Sequence, residues 1–89
     1  MPERSDEYVI GRLIERSRLL IAISDDIPVE TKLQTQPLLK QLEQALAVPA
    51  EEQDAERIRS TYALLYGELA DFADLEALLS ALKAFVPCL

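Results

Sequence analysis

The stretch that decides the fold is residues 55–86, AERIRSTYALLYGELADFADLEALLSALKAFV. Its apolar side chains recur at Ile58, Tyr62, Leu65, Leu69 and Phe72, then at Leu75, Leu78, Leu79, Leu82 and Val86. Steps of three and four keep them on one stripe of an α-helix, which turns once every ~3.6 residues. The phase passes almost without a slip through residues 70–74, so one helix or two in series both satisfy it. A single helix over residues 50–86 would be roughly 55 Å long, more than so short a chain covers by itself. A break at residues 70–74 is therefore expected, with Asp71 or Asp74 as the N-cap of a last helix that ends near Phe85 or Val86, ahead of Pro87.

Upstream the same period continues. Ser5 or Asp6 is the expected N-cap of a first helix, with Glu7 at the positive end of its dipole. Its apolar face is Val9, Ile10, Leu13, Ile14, Leu20 and Ile21, and Gly11 reads as a plain exposed glycine. Residues 19–23, LLIAI, are apolar all round the helix. Residues 24–28, SDDIP, stop it, because a residue before proline avoids the α region. Asp25 or Asp26 is expected to cap the next segment, with Pro28 in its first turn.

Proline inside a helix removes one hydrogen bond and clashes with the carbonyl four residues back. Pro37 therefore divides the second region into a short turn near residues 28–34 and a helix capped by Thr35, with a single kinked helix as the alternative. Leu38, Leu42, Ala45 and Leu46 make its apolar stripe. Pro49, followed by Glu51 and Glu52, marks the start of a third helix running to about Ala70. The expected fold is all-α: one domain over residues 1–89, a small antiparallel bundle of four helices with the second bent or split at Pro37.

Composition narrows the function. Apolar residues make up 49% of the chain, which excludes disorder as the default state. The net charge is −7, and residues 49–89 carry three basic and eight acidic side chains against six and eight in residues 1–48. Such a chain repels a phosphate backbone, and its one arginine cluster, Arg12, Arg16 and Arg18, has Glu15 within pairing distance of both Arg12 and Arg18 on a helix. Nucleic acid is not an expected partner. Cys88 stands alone, so no internal disulfide forms, and it lies too near the end for a four-residue prenylation box. The polar, acidic N-terminal residues do not read as a signal peptide. The longest apolar run, residues 19–23, is far short of the ~20 needed for a membrane span. A cytoplasmic location is expected.

Catalysis finds few reagents. There is no histidine, and the two glycines at positions 11 and 67 make no phosphate-binding loop. Cys88 has no base to activate it. The carboxylates are numerous, with Glu68, Asp71 and Asp74 spaced by three and Glu51, Glu52, Asp54 and Glu56 crowded together. They lack the histidines of a di-iron bundle and the glycine of a calcium loop, and read as solvated helix ends. Tyr62 and Tyr66, one turn apart, read as core residues with hydroxyls reaching the surface.

These readings point to a non-catalytic protein–protein interaction module: a small acidic adaptor, chaperone or inhibitor-like protein with no cofactor and no metal. Its partner is another protein or a second copy of itself. The expected contact is an apolar helix face rimmed with acid near Leu19, Ile21, Ile23, Ile27 and Val29, with Phe85 and Leu89 as a second apolar site. A carboxylate-based metal-binding protein is the alternative from another class. Residues 57–82, from Arg57-Ile58-Arg59 through the Glu68-to-Asp74 junction to Leu82, resemble in hydrophobic spacing the C-terminal helix pair of the four-helix bacteriocin immunity proteins. That resemblance implies a cytoplasmic helical bundle that protects against a toxin.

Overall fold

The computed structural model describes residues 2–86, with side chains for residues 7–49 and 51–86. Four helices follow one another: α1 (Pro2–Ile23), α2 (Val29–Ala47), α3 (Ala55–Leu69) and α4 (Ala73–Leu82). Short 3-10 turns lie at Ala50–Glu52 and Lys83–Phe85, and there is no strand among the described residues. Helix α1 packs on α2, α2 on α3, α3 on α4, and α4 returns to α1. Short connections between consecutive helices make the arrangement an antiparallel bundle, 38 × 25 × 18 Å overall.

The stripe of residues 55–86 forms one wall of the core. Ile58, Tyr62, Leu65 and Leu69 of α3 and Leu75, Leu79 and Leu82 of α4 are buried, with Phe72 and Leu78 packed against them. They meet Ile14 and Ile21 of α1 and Leu39, Leu42 and Leu46 of α2. The helical stripe does break, at residues 70–72. The Phe72 N–H donates to the Leu69 carbonyl at 3.0 Å, and Phe72, with an extended backbone, precedes α4. Neither Asp71 nor Asp74 supplies the expected cap. Packing of the Phe72 ring against the core fixes the corner, and both acids are left exposed.

Other helix ends also differ from the pattern read in the sequence. Helix α1 starts at Pro2, so Ser5 and Asp6 lie inside it; proline suits a first helical position because its missing N–H has no partner there. Pro28 sits just before α2 rather than in its first turn, and neither Asp25 nor Asp26 caps that helix. Instead the Ser24 hydroxyl accepts from the Asp26 N–H at 3.3 Å and closes the turn.

Pro37 does not split α2. Thr35 is buried inside the helix, where its hydroxyl donates to the Thr31 carbonyl at 2.7 Å. A mid-helix proline costs roughly 3 kcal/mol, whereas each buried leucine contributes about 1.5–3 kcal/mol. Holding Leu39, Leu42 and Leu46 in the core therefore outweighs the lost bond. The deprived carbonyl belongs to Leu33, an exposed residue.

The third helix begins later than Pro49 suggests. Residues 50–52 make a 3-10 turn, and α3 starts after Asp54, whose carboxylate accepts from the Arg57 N–H at 3.1 Å. The delay lets Gln53 fold back and donate to the Leu46 and Val48 carbonyls, at 3.4 and 3.2 Å, satisfying the open end of α2. A Cβ placed on Gly11 or Gly67 meets nothing within 4 Å, so neither glycine marks a close helix contact.

Candidate interaction surface

The run at residues 19–23 divides cleanly by helical phase. Ile21 is wholly buried and Leu20 half-buried, while Leu19 and Ile23 are 59% and 66% exposed. Ile27, in the turn that follows, is buried in the core. Ile21 and Ile27 thus leave the expected contact surface: Ile21 is in phase with buried Ile14 and Ser17 on α1, and Ile27 is buried from the turn. Val29 stays on the surface at 70% exposure and is joined by Leu33, also at 70%. Sequence reasoning missed Leu33. Its signal was there, because it follows Val29 by four and lies out of phase with Leu39, Leu42 and Leu46. Phe85 is half-buried; Leu89 and Cys88 lie outside the described residues.

Two hydrogen bonds join α1 to α2 at the end of the hairpin that carries these exposed residues. The Lys32 ammonium donates to the Ala22 carbonyl and the Gln36 amide to the Arg18 carbonyl, both at 3.3 Å. Leu19 follows Arg18, Ile23 follows Ala22 and Leu33 follows Lys32 by one residue, a rotation of ~100° away from the bridges. All three therefore point outward from the same end of the α1–α2 hairpin, with Val29 one turn before Leu33.

The rim of this face is not uniformly acidic, contrary to the sequence expectation. Toward the start of α1 lie exposed Arg12 and Arg16; toward the hairpin turn lie exposed Asp25, Asp26 and Glu30. Arg18 forks onto Glu15 at 2.6 and 3.1 Å, and the hydrogen bond and charge of Glu15 hold the Arg18 guanidinium above its ordinary pKa. Arg12 does not share Glu15. It turns back over the Tyr8 ring, 5.7 Å from the centroid, and donates to the Tyr8 hydroxyl at 3.2 Å. Among the described residues Arg18–Glu15 is the one ion pair, which leaves Arg16 unpaired there.

The polar groups between α3 and α4 serve packing. Tyr62 and Tyr66 stack with ring centroids 6.1 Å apart. The Tyr62 hydroxyl does not reach the surface as expected but donates to the Leu79 carbonyl in the core, and burial pushes its pKa up. The Tyr66 hydroxyl donates to the Glu76 carboxylate at 3.0 Å, and the Ser80 hydroxyl donates to the same oxygen at 2.7 Å. These two bonds, that from Ser80 foremost, hold Glu76 below the usual carboxylate range; its hydrogen bond and charge raise Tyr66.

The crowded acids are spread over exposed positions. Among the described residues no group of three or more His, Cys, Asp and Glu side chains is placed to hold a metal ion. No helix among them is long and apolar enough to cross a membrane. The chain matches no known protein family, no curated protein and no solved structure, so the likeness to immunity proteins rests on hydrophobic spacing alone.

Proposed function

We propose that the protein is a non-catalytic interaction module that works in the cytoplasm and docks a protein partner on the outer face of the α1–α2 hairpin. The observation that carries this reading is the set of four large aliphatic side chains, Leu19, Ile23, Val29 and Leu33, each more than half exposed on one side of one hairpin. Apolar area removed from water is worth about 25 cal/mol per Å². Contiguous apolar surface on a small domain tends to mark a contact, and single scattered residues do not. Leu64, 58% exposed on α3, is the single kind and provides an internal control.

The test is site-specific photo-crosslinking in the cells that make the protein. A photoreactive residue at Leu33 should give discrete adducts that disappear when Ile23→Asp is added, whereas the same group at Leu64 should give none. Equal, diffuse labelling from both positions would remove the face from consideration.

A further inference from the structure

We infer that the occupant of this face is a second copy of the chain, docked antiparallel across a two-fold axis that passes near Leu19 and Ile23; this rests on the interaction reading above and names its partner. The argument is charge complementarity. Along the outward side of α1, Arg12, Arg16, Leu19 and Ile23 follow at steps of four, three and four. Exposed Glu15, four residues before Leu19, is neutralised by its pair with Arg18, so the uncompensated charge before the apolar centre is basic. Beyond that centre the hairpin turn and the first turn of α2 present Asp25, Asp26 and Glu30, all exposed. Arg12 lies seven residues before Leu19, about 10 Å along the helix at 1.5 Å per residue. Asp25 and Asp26 lie a comparable stretch of chain beyond it.

A two-fold axis through the apolar centre reverses this order in the partner. Arg12 and Arg16 of each copy then meet Asp25, Asp26 and Glu30 of the other, twice over, while the aliphatic side chains meet at the middle. This is the defining property of an isologous contact, in which one patch complements itself. Parallel docking places arginine on arginine and acid on acid, which is repulsive at contact distance. The net charge of −7 on each copy opposes approach. That long-range repulsion is screened beyond ~8 Å at physiological ionic strength, whereas pairs in contact are screened much less. The local pattern therefore governs the docked state.

The test uses two charge-reversed variants of the full chain, Arg12→Glu with Arg16→Glu, and Asp25→Lys with Asp26→Lys. All four positions are exposed, so circular dichroism should match wild type for both. In sedimentation velocity the wild-type chain should form a dimer. Each variant alone should associate at least roughly tenfold more weakly, because its own ends now repel. An equimolar mixture should recover association, since each reversed end then meets its complement in the other chain. A wild-type chain that stays monomeric at roughly hundred-micromolar concentration, where even a weak transient contact shows, overturns the inference. So does a mixture no tighter than its parts. The crosslink at Leu33 separates the two levels of claim. An adduct of two copies supports the dimer. An adduct with a different protein alone overturns it while leaving the interaction reading in place, and no adduct specific to Leu33 removes both.

Discussion

The Tyr62 hydroxyl donates to the carbonyl of Leu79 at 2.5 Å, a buried bond that fastens α3 to α4. Helix α4 spans only Ala73–Leu82, and an isolated helix that short is unstable in water. It persists because Leu75, Leu79 and Leu82 are buried and because α3 holds its backbone at this point. Removing the hydroxyl leaves the Leu79 carbonyl with the Lys83 N–H as its partner, so the loss is partial. Tyr62→Phe should destabilise the fold by about 1 kcal/mol, lowering Tm by roughly 4–8 °C in a domain of this size. Thermal unfolding followed by circular dichroism measures it, and an unchanged Tm would assign the helix pairing to apolar contact alone.

The hydrogen bonds that Glu76 accepts, from Ser80 foremost and from Tyr66, make stability depend on pH at both ends of the range. Glu76 titrates below the ordinary glutamate value in the folded chain. Its contribution is complete above the unfolded value, about 4.3, and is lost as pH falls through the lower folded value. Tyr66 titrates above its ordinary value. Its contribution is complete below the unfolded value, about 10, and is lost as pH rises through the higher folded one. Glu76→Gln should therefore flatten the acid limb and weaken the alkaline one in urea unfolding measured across pH. Superimposable profiles for variant and wild type would show that these bonds have no energetic role.

Two isoleucines in the same run should respond oppositely to a carboxylate. Ile21→Asp buries an unpaired charge in the core, a change that costs several kcal/mol and should abolish the folded state. Ile23→Asp, at an exposed position, should change stability by less than about 0.5 kcal/mol while weakening association. Far-ultraviolet circular dichroism and sedimentation on both variants decide the matter. Unfolding of the Ile23 variant would place that side chain in the core.

Pro37 keeps α2 short of its best stability. Pro37→Ala restores the N–H that pairs with the Leu33 carbonyl and removes the ring clash, worth up to about 3 kcal/mol. The unfolded chain gains freedom in exchange, offsetting about 0.4–1 kcal/mol. The net expectation is a stabilisation of about 1–2 kcal/mol, seen as a higher urea midpoint with an unchanged slope. A destabilised variant would mean that the proline ring makes a contact the fold depends on.

What the sequence determined by itself is the period. Steps of three and four through Ile58, Leu65, Leu75 and Leu82 specify helices and the side of each that faces inward, because helical phase is a local property of 100° per residue. The same phase sets Leu19 and Ile23 apart from Ile21, and Leu33 apart from Leu39, but apolar content alone grouped Leu19, Ile21 and Ile23 together and passed over Leu33. Helix ends were not legible in this way. Asp54 caps α3 where Asp25, Asp26, Asp71 and Asp74 cap nothing, although all carry the same side chain. The difference is made by residues far along the chain: Phe72 packed in a corner, Gln53 closing the end of α2, and Leu39, Leu42 and Leu46 holding a helix together through Pro37. The outer face likewise came from tertiary structure, since only the pairing of α1 with α2 sets Leu19 and Ile23 beside Val29 and Leu33, with arginines at one end and acids at the other. Local propensities differ by about 1 kcal/mol per residue, and a buried leucine contributes more than that, so packing decides wherever the two disagree.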